Sequence, residues 1–299
     1  MTATRRLQLV VNPCAGGGRS MKLLPDVEAA LRSAGHDLLV TPTRSLAHAD
    51  DLVAEALADD RVAVAMGGDG LVGRVAGAVA AGGGVLAVLP GGRGNDFCRA
   101  VGLPNDPAAA AALLTSAQER AVDLGVVSSA DGDVPFLGIA SIGFDSDVQE
   151  RVLRSRVPLG SLVYLYGSLA TVSSWKHARF DCVVDGEPMS VTGWTVAVSN
   201  SGRYGGGMRL APDASVEDGL LDVVTSSATS RRRFLRGLPK VFKGTHVDEP
   251  TVDVRPATVV ELAADRPFRV FADGDPVGVL PATVSVRPGA LRVLLPPAG

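Results

Sequence analysis

The stretch RVAVAMGGDGLVGRVAGAVAAGGGVLAVLPGGRGNDF, residues 61–97, decides the fold. Its two short aliphatic runs, 61–66 and 85–90, are typical of buried strands, and the segment 71–82 between them is typical of a helix. Each strand runs into a glycine-rich loop. A strand, a helix and a second strand in this order predict an α/β layer, in which the loops that follow parallel strands meet at one edge of the sheet.

The same alternation extends to both sides of this stretch, from residue 7 to about residue 123. Glycine, proline or asparagine marks each junction between elements. We therefore expect an α/β domain over residues 1–123, with its glycine loops at one edge. The further predicted elements are strands at 7–11, 37–41 and 120–125 and helices around 21–34, at 46–58 and at 107–119.

From about residue 124 the pattern changes to short strands separated by turn signals, interrupted by two helical segments. A mainly antiparallel β-sandwich domain over residues 124–299 is therefore expected, whose last residues can return to the first domain. The predicted strands are at 180–188, 195–200, 220–224, 268–276 and 291–295, and the helical segments lie around 160–174 and 230–244.

Length and composition limit the classes of protein that fit this sequence. The 299 residues, 46% of them hydrophobic, suit two packed domains and are too apolar for a disordered chain. With 29 basic and 32 acidic side chains the net charge is −3, which excludes the global basic field of a dedicated nucleic-acid binder. We expect no nucleic-acid partner, so any anion site must be local.

Cysteine use and hydropathy indicate a cytoplasmic protein. The cysteines Cys14, Cys98 and Cys182 are far apart and lack CxxC spacing, so neither a disulfide framework nor a zinc site is expected. No stretch approaches the roughly 18 to 20 apolar residues that a membrane-spanning helix needs. Contact with a membrane would therefore be peripheral.

Three strand ends of the first half deliver glycine-rich loops: NPCAGGG at 12–18, GGDG at 67–70 and PGGRGND at 90–96. Glycine lets backbone N–H groups converge on phosphate oxygens, and a helix that follows adds its positive end. The Walker motif GxxxxGK[ST] is absent, as is GxGxxG after the first strand. Taken singly, each loop is equally well explained as a turn.

In order and spacing, the three loops resemble those of the diacylglycerol kinase catalytic domain, a lipid kinase family related to the sphingosine kinases. The family pattern is an NPxSGxG-like loop, GGDGT at the start of a helix, and PxGTxNDFAR before an LGxP turn. The resemblance continues through the second half and covers nearly the whole chain. The matching positions there are Asp123, Asn200, GGGM at 205–208, APDA at 211–214, DGLLD at 218–222 and DGDP at 273–276.

This resemblance implies transfer of the γ-phosphoryl group of ATP to the hydroxyl of a lipid, with diacylglycerol as the leading acceptor and phosphatidic acid as its product. The implied catalytic base is Asp273. Asp69, Asp123 and Asp275 are implied as an acidic set around water and Mg²⁺. Locally, Asp185 in VDGEP carries the same turn signature as Asp273, and only the resemblance selects Asp273.

The resemblance also implies the residues that face the nucleotide and a structural metal. The metal would be held at Ser215, Asp218 and Leu220, two of them through backbone carbonyls, and a turn capped by Asp218 is the alternative. The implied nucleotide-binding residues are Asn12, Thr43, Gly67, Gly68, Asp69, Gly70, Leu71, Arg93 and Asn95.

Several positions depart from the family pattern. Leu71 and Arg93 replace two threonines, Arg74 replaces a glutamate, and Asp275 also replaces a glutamate. We hypothesise that Arg93 and Arg74 supply guanidinium donors to the ATP phosphates. The alternative for Arg93 is an ion pair with a nearby carboxylate such as that of Asp96.

Two segments bear on how such an enzyme reaches a lipid at a membrane surface. Residues 230–246 carry six basic and no acidic side chains, interleaved with apolar ones, which suits an anionic membrane surface or an ordinary helix packed on the sheet. Residues 158–172 are apolar and can line an acyl channel or belong to the core. An edge strand of the second domain can support a homodimer.

Two other functions also fit the sequence. One is a soluble-metabolite kinase of the wider superfamily that includes the NAD kinases, which also use a GGDG loop. The other is a nucleotide-binding regulator with impaired catalysis, suggested by the substitutions at Leu71, Arg74, Arg93 and Asp275.

Overall fold

A computed structural model describes residues 4–154 and 170–297 of the chain. The first half is a parallel sheet in the order β2, β1, β3, β4, with helices on both faces. Its strands are β1 (Arg6–Val11), β2 (Asp37–Pro42), β3 (Val62–Gly67) and β4 (Val85–Pro90), and its helices are α1 (Arg19–Ser33), α2 (Leu46–Ala58), α3 (Asp69–Gly82), α4 (Asp96–Ala100) and α5 (Pro107–Leu113).

The central strands are buried on both faces, which explains why their sequences are continuous aliphatic runs rather than alternating ones. On one face, Leu9 belongs to a core that includes residues of α1 and α5, such as Val27. On the other face, Ala65 belongs to a core with Leu52 of α2 and Val75 of α3. This double cover fixes the strands so that their carboxyl ends, with the glycine loops, open at one edge.

The second half is a mainly antiparallel β-domain whose core includes Trp194, Phe180 and Phe144. It contains α6 (Phe144–Arg154), α7 (Arg231–Lys243) and a small hairpin of β10 (Arg203–Tyr204) and β11 (Met208–Arg209). The other strands are β5 (Gln118–Ser129), β6 (Gly132–Phe136), β7 (Ile139–Gly143), β8 (Ala178–Val184), β9 (Glu187–Ser199), β12 (Leu221–Ser227), β13 (Val252–Ala257), β14 (Val259–Ala264), β15 (Arg269–Ala272), β16 (Asp275–Val279) and β17 (Ala282–Leu295).

The long strand β17 connects the two halves. It pairs with β5 in antiparallel register from Thr283 opposite Ser128 to Leu295 opposite Gln118. Near its end it also pairs with β4 in parallel, with Arg292 opposite Val85. The last strand of the chain therefore joins the sheet of the first domain.

The predicted helix over 107–119 is wrong at its C-terminal end, because α5 ends at Leu113 and β5 begins at Gln118. The hydroxyls of Thr115 and Ser116 bond back to the carbonyls of Ala112 and Leu113. Such local side-chain bonds compete with the helical hydrogen bonds and weaken the end of a helix. Pairing of Gln118 with β17 then extends the chain as a strand.

The two helical segments expected in the second half have different outcomes. The segment at 230–244 is confirmed as α7. The segment at 160–174 lies largely outside the described residues, although 170–174 are helical. The sequence prediction missed α6 (Phe144–Arg154), which carries acidic residues in its first turn and arginines in its last.

Candidate active site

The three glycine loops lie against one another at the carboxyl edge of the parallel sheet. The amide of Gly91 donates to the carbonyl of Gly67 at 3.0 Å. A methyl group on Gly91 would lie 2.9 Å from Gly67 N, and one on Gly16 would lie 3.1 Å from the carbonyl oxygen of Gly91. These backbones approach so closely that side chains are excluded. The result is a contiguous surface of backbone groups, suited to an anion.

Helix α3 starts at Asp69, directly after this surface. Gly68 precedes it in an extended conformation, so the free N–H groups of the first turn lie at the GGDG loop. Leu71 was expected to contact the nucleotide, but its side chain points into the core instead. A methyl group on Gly67 would collide with the Leu71 side chain. Leu71 therefore packs directly against the GGDG loop from the core side.

Two of the predicted nucleotide residues, Asn12 and Asn95, use their side chains within their own loops. The side-chain oxygen of Asn95 accepts from Gly92 N at 2.9 Å, and its amide nitrogen donates to the Gly92 carbonyl at 3.2 Å. Asn12 accepts from Cys14 N at 2.9 Å. Thr43 is buried just after β2, where its amide donates to the Val11 carbonyl at 2.7 Å.

Arg93 and Arg74, which were expected to contact the ATP phosphates, have different surroundings in the structure. Arg93 is exposed, and a methyl group on Gly17 would lie 3.7 Å from its Nη2, so Arg93 stands over the first glycine loop. Arg74 instead points to α2, where its Nε donates to Asp50 Oδ1 at 2.7 Å and its Nη2 pairs with Asp50 Oδ2. The hypothesis for Arg74 is therefore wrong, because a helix-to-helix ion pair holds its guanidinium.

Asp69 and Asp96 bring two carboxylates together at the edge of the loops. The amide of Asp96 donates to Asp69 Oδ1 at 2.7 Å. A methyl group on Gly94 would lie 2.5 Å from Asp69 Oδ2 and 3.1 Å from Asp96 Oδ2, so both oxygens border one small space. Burial and the charge of Asp69 raise the pKa of Asp96 to about 6, and burial raises the pKa of Asp69.

Asp273 reaches this region from the turn between β15 and β16. Its Oδ1 accepts from Gly138 N at 2.8 Å and from Ile139 N at 3.2 Å, and its Oδ2 accepts from Leu137 N at 2.8 Å. A methyl group on Gly73 of α3 would lie 3.0 Å from the same Oδ2. The second domain thus presents this carboxylate to the first turns of α3.

Burial, partly offset by the three amides, and the charge of Asp69 raise the pKa of Asp273 to about 7. Asp275 is more exposed, but its Oδ2 would lie 2.5 Å from a methyl group on Gly70, and desolvation raises its pKa. Asp69, Asp96, Asp273 and Asp275 are called the carboxylate cluster below.

Asp185 provides an internal comparison, because it occupies the same kind of turn with positive φ. Its carboxylate accepts from Thr258 N, Thr258 Oγ1 and Val259 N, within the β-domain. These bonds, led by the threonine hydroxyl, lower the pKa of Asp185. The similar turn sequences DGEP and DGDP therefore have opposite electrostatics, and of the two only Asp273 faces α3.

Asp123 has different contacts from those expected. One of its carboxylate oxygens accepts from Gly219 N at 2.7 Å and the other from Gly289 N at 2.8 Å. The contacts found among the described residues join Asp123 to these loops rather than to the carboxylate cluster. Its expected grouping with Asp69 and Asp275 is thus corrected to an anchoring position between β5 and two turns.

The loop proposed for a structural metal is built from local turns. Ser215 Oγ accepts from Glu217 N at 3.2 Å, and Asp218 Oδ1 accepts from Leu220 N at 3.0 Å. Over the described part of the chain, no group of three or more metal-binding side chains is found. The capped turn that was the alternative is present, and metal binding through carbonyls stays a prediction.

The sequence interpretation missed Asp96 as a member of the site. Its signal was its position as the last residue of the third glycine loop and the first residue of α4. Both of its carboxylate oxygens accept from Gly206 N, at 3.1 and 2.9 Å, so Asp96 also ties the GGG turn of the β10–β11 hairpin to the first domain.

The donor set at Asp69 and Asp96 fits Mg²⁺. Carboxylate oxygens are the ligands that this ion prefers, and it is usually held by one or two carboxylates together with waters and substrate phosphates. Burial raises the pKa of both carboxyl groups, and the charge of Asp69 adds to the effect at Asp96. A divalent cation bound there with a nucleotide would compensate the charge of the ionised carboxylates.

Family models and known proteins match nearly the whole chain. The "Diacylglycerol kinase catalytic domain" matches residues 6–127, and the "YegS C-terminal NAD kinase beta sandwich-like domain" matches residues 138–295. A diacylglycerol kinase of Mycobacterium tuberculosis is 35% identical over 98% of this chain and 96% of that protein. A "probable lipid kinase YegS-like" of Pseudomonas aeruginosa is 37% identical over 90% of this chain and 88% of that protein.

Among solved structures, a diacylglycerol kinase of Bacillus anthracis matches with a TM-score of 0.77 and 24% identity, covering 99% of both chains. This likeness establishes the two-domain fold. In the part of the chain that the structure describes, no helix is long and apolar enough to cross a bilayer.

Proposed function

Because the chain belongs to the family of the diacylglycerol kinase catalytic domain and carries the YegS-type C-terminal domain, we propose that it is an ATP-dependent lipid kinase. Its acceptor is diacylglycerol and its product phosphatidic acid. In the reaction, the acceptor oxygen forms a bond to the γ-phosphorus, the bond to the bridging oxygen of ADP breaks, and the hydroxyl proton passes to the protein.

The placement of Asp273 carries this proposal. Its Oδ2 accepts one backbone amide, so a second lone pair remains to take the proton of an acceptor hydroxyl. A pKa raised to about 7 lies close to neutral pH, where a general base is most effective. The three backbone amides hold the carboxylate in one orientation, which supports its role as the base.

The glycine loops support binding of the triphosphate. Their side-chain-free surface lets backbone amides approach phosphate oxygens, while the N-terminus of α3 contributes positive potential. Arg93 stands over the first loop and can add a charged donor. Asp69 and Asp96 would hold Mg²⁺, which neutralises charge on the phosphates during transfer.

The test is an acceptor screen with radiolabelled ATP and Mg²⁺. Purified protein is offered diacylglycerol in detergent micelles, a mixed lipid extract, or NAD, and the labelled products are separated. Asp273→Asn is compared with Asp185→Asn, a matched change in the same turn motif. We expect labelled phosphatidic acid, lost by roughly 10²- to 10⁴-fold in Asp273→Asn and retained in Asp185→Asn.

Two outcomes would support the other functions. Labelling of NAD but not of lipid would favour a soluble-metabolite kinase, a candidate favoured by the NAD kinase-like description of the C-terminal domain. ATP binding without transfer to any acceptor would favour a nucleotide-binding regulator with impaired catalysis.

A further inference from the structure

Helix α7, residues Arg231–Lys243, lies on the surface of the β-domain and is anchored along one side only. The ring of Phe234 stacks on Trp194 at 3.9 Å between centroids and meets Phe144 edge-on at 5.0 Å. Leu235 also packs against this core, while no residue of the helix is fully buried. Aromatic packing therefore fixes the helix and leaves its opposite side in solvent.

The charges of α7 are all of one sign and only partly neutralised. The helix carries six basic side chains and no acidic one. Arg233 and Lys240 both pair with Glu249, Arg233 at 3.2 Å. Among the described residues, Arg232, Arg236 and Lys243 have no acidic partner. The other stretches of the chain, 1–3, 155–169 and 298–299, contain no aspartate or glutamate that could supply one.

The three uncompensated cations share one stripe. At about 100° per residue, Arg232, Arg236 and Lys243 fall within a sector of roughly 40°, on the side opposite Phe234. Phe242 lies on the flank of the helix, about 80° from Arg232, with 55% of its surface exposed. Exposed cations on a helix that also carries an exposed aromatic ring suit the headgroup region of an anionic bilayer.

The positive surface continues beyond the N-terminus of α7. Arg231 donates from Nη2 to the carbonyl of Trp175 at 3.1 Å. Trp175 borders a cleft of about 750 Å³ with four basic and two acidic lining residues. One of the acids, Glu150, already pairs with Arg154 and Arg269. Basic side chains therefore also outnumber acidic ones in the cleft beside the N-terminus of α7.

The helix is also connected to the carboxylate cluster. It packs against β11 of the small hairpin, and a methyl group on Gly244 at its C-terminal end would lie 3.6 Å from Cβ of Arg209. The turn of that hairpin donates from Gly206 to Asp96. A surface that docks on α7 would lie beside the element that joins the two domains.

We propose that α7 is a docking surface for an anionic lipid bilayer. The complementary charge selects this occupant, and the exposed ring of Phe242 distinguishes it from a purely electrostatic partner such as a nucleic acid. This inference deepens the proposed lipid kinase function by naming the surface from which the acceptor is reached. The docking itself needs neither ATP nor acceptor, so it can fail or hold independently.

The test is co-sedimentation of the full-length protein with vesicles of phosphatidylcholine alone or mixed with phosphatidylglycerol. The variant carries Arg232→Gln, Arg236→Gln and Lys243→Gln. The matched control carries Arg6→Gln, Arg32→Gln and Arg44→Gln, which remove equal charge from the first domain. Each basic side chain near an anionic surface increases partitioning by about fivefold, so the α7 variant should bind about 100-fold more weakly and the control nearly as wild type.

Phe242→Ser should weaken binding further at high salt, where screening removes the electrostatic share. Equal binding of wild type and the α7 variant would overturn the proposal, as would binding of duplex DNA, but not vesicles, that depends on these three cations. An unchanged kcat of the α7 variant on micellar diacylglycerol, together with lost vesicle binding, would support it. Vesicle binding by a wild type that phosphorylates no acceptor would leave the docking surface intact and refute the kinase.

Discussion

The stability of an Asp273→Asn variant should depend on pH in a direction that follows from the structure. In the folded protein, burial and the charge of Asp69 raise the pKa of Asp273 from 3.8 to about 7. Because the folded state disfavours the ionised carboxylate, wild-type stability falls as the pH rises from about 4 through about 7. Asparagine has the same size and no charge, so the variant escapes this loss.

The difference between a pKa of 3.8 and one of about 7 corresponds to about 4 kcal/mol in full, of which more than half develops between about pH 5 and about pH 8. In Asp273→Asn the side-chain NH2 group can face the amide of Leu137, which then loses its acceptor. This lost hydrogen bond lowers the stability of the variant by about 1–3 kcal/mol. That cost is the same at both pH values and cancels from the comparison.

Differential scanning fluorimetry at the two pH values measures the effect. The midpoint of Asp273→Asn relative to wild type should rise by about 3–5 °C between about pH 5 and about pH 8. Asp185→Asn is the control, and it should show no such rise because the pKa of Asp185 is lowered rather than raised. A relative midpoint for Asp273→Asn that is equal at both pH values would refute the electrostatic account of this residue.

Two further predictions concern the first domain. Gly94→Ala places a methyl group 2.5 Å from Asp69 Oδ2 and 3.1 Å from Asp96 Oδ2. Because the methyl group displaces these carboxylates, kcat should fall at least about tenfold in the transfer assay. An unchanged kcat would mean that the two carboxylates take no part in the reaction. Arg93→Ala should raise the KM for ATP severalfold, whereas Arg74→Ala should leave it unchanged and cost at most about 1 kcal/mol of stability in urea unfolding. An equal KM for ATP in the two variants would contradict the assignment of Arg93, but not Arg74, to the phosphate site.

The glycine loops were predictable because the constraint that shapes them is visible in the residues themselves. The close approach of Gly91 to Gly67 leaves no room for a side chain, so both positions require glycine. The aliphatic strands were predictable for a related reason, since burial on both faces demands continuous apolar runs. The alternation of such runs with helices was enough to place the first domain.

The carboxylates were harder to assign, because their roles depend on partners distant in the sequence. Asp185 and Asp273 occupy matching turns, and only tertiary placement against Thr258 in one case and α3 in the other separates them. Asp123 is held by amides of residues 219 and 289, and Arg74 by a carboxylate on α2. No local pattern records such pairings.

The most direct test of the central claim is the pH dependence of kcat/KM for ATP in the wild type and in Asp273→Asn, with diacylglycerol in micelles. If Asp273 is the base, wild-type kcat/KM should fall about tenfold per pH unit below about pH 7, and the residual activity of Asp273→Asn should lack this limb down to about pH 6, where Asp96 also titrates. A wild-type profile that is flat from about pH 5.5 to about pH 8, or the same limb in Asp273→Asn, would contradict the assignment.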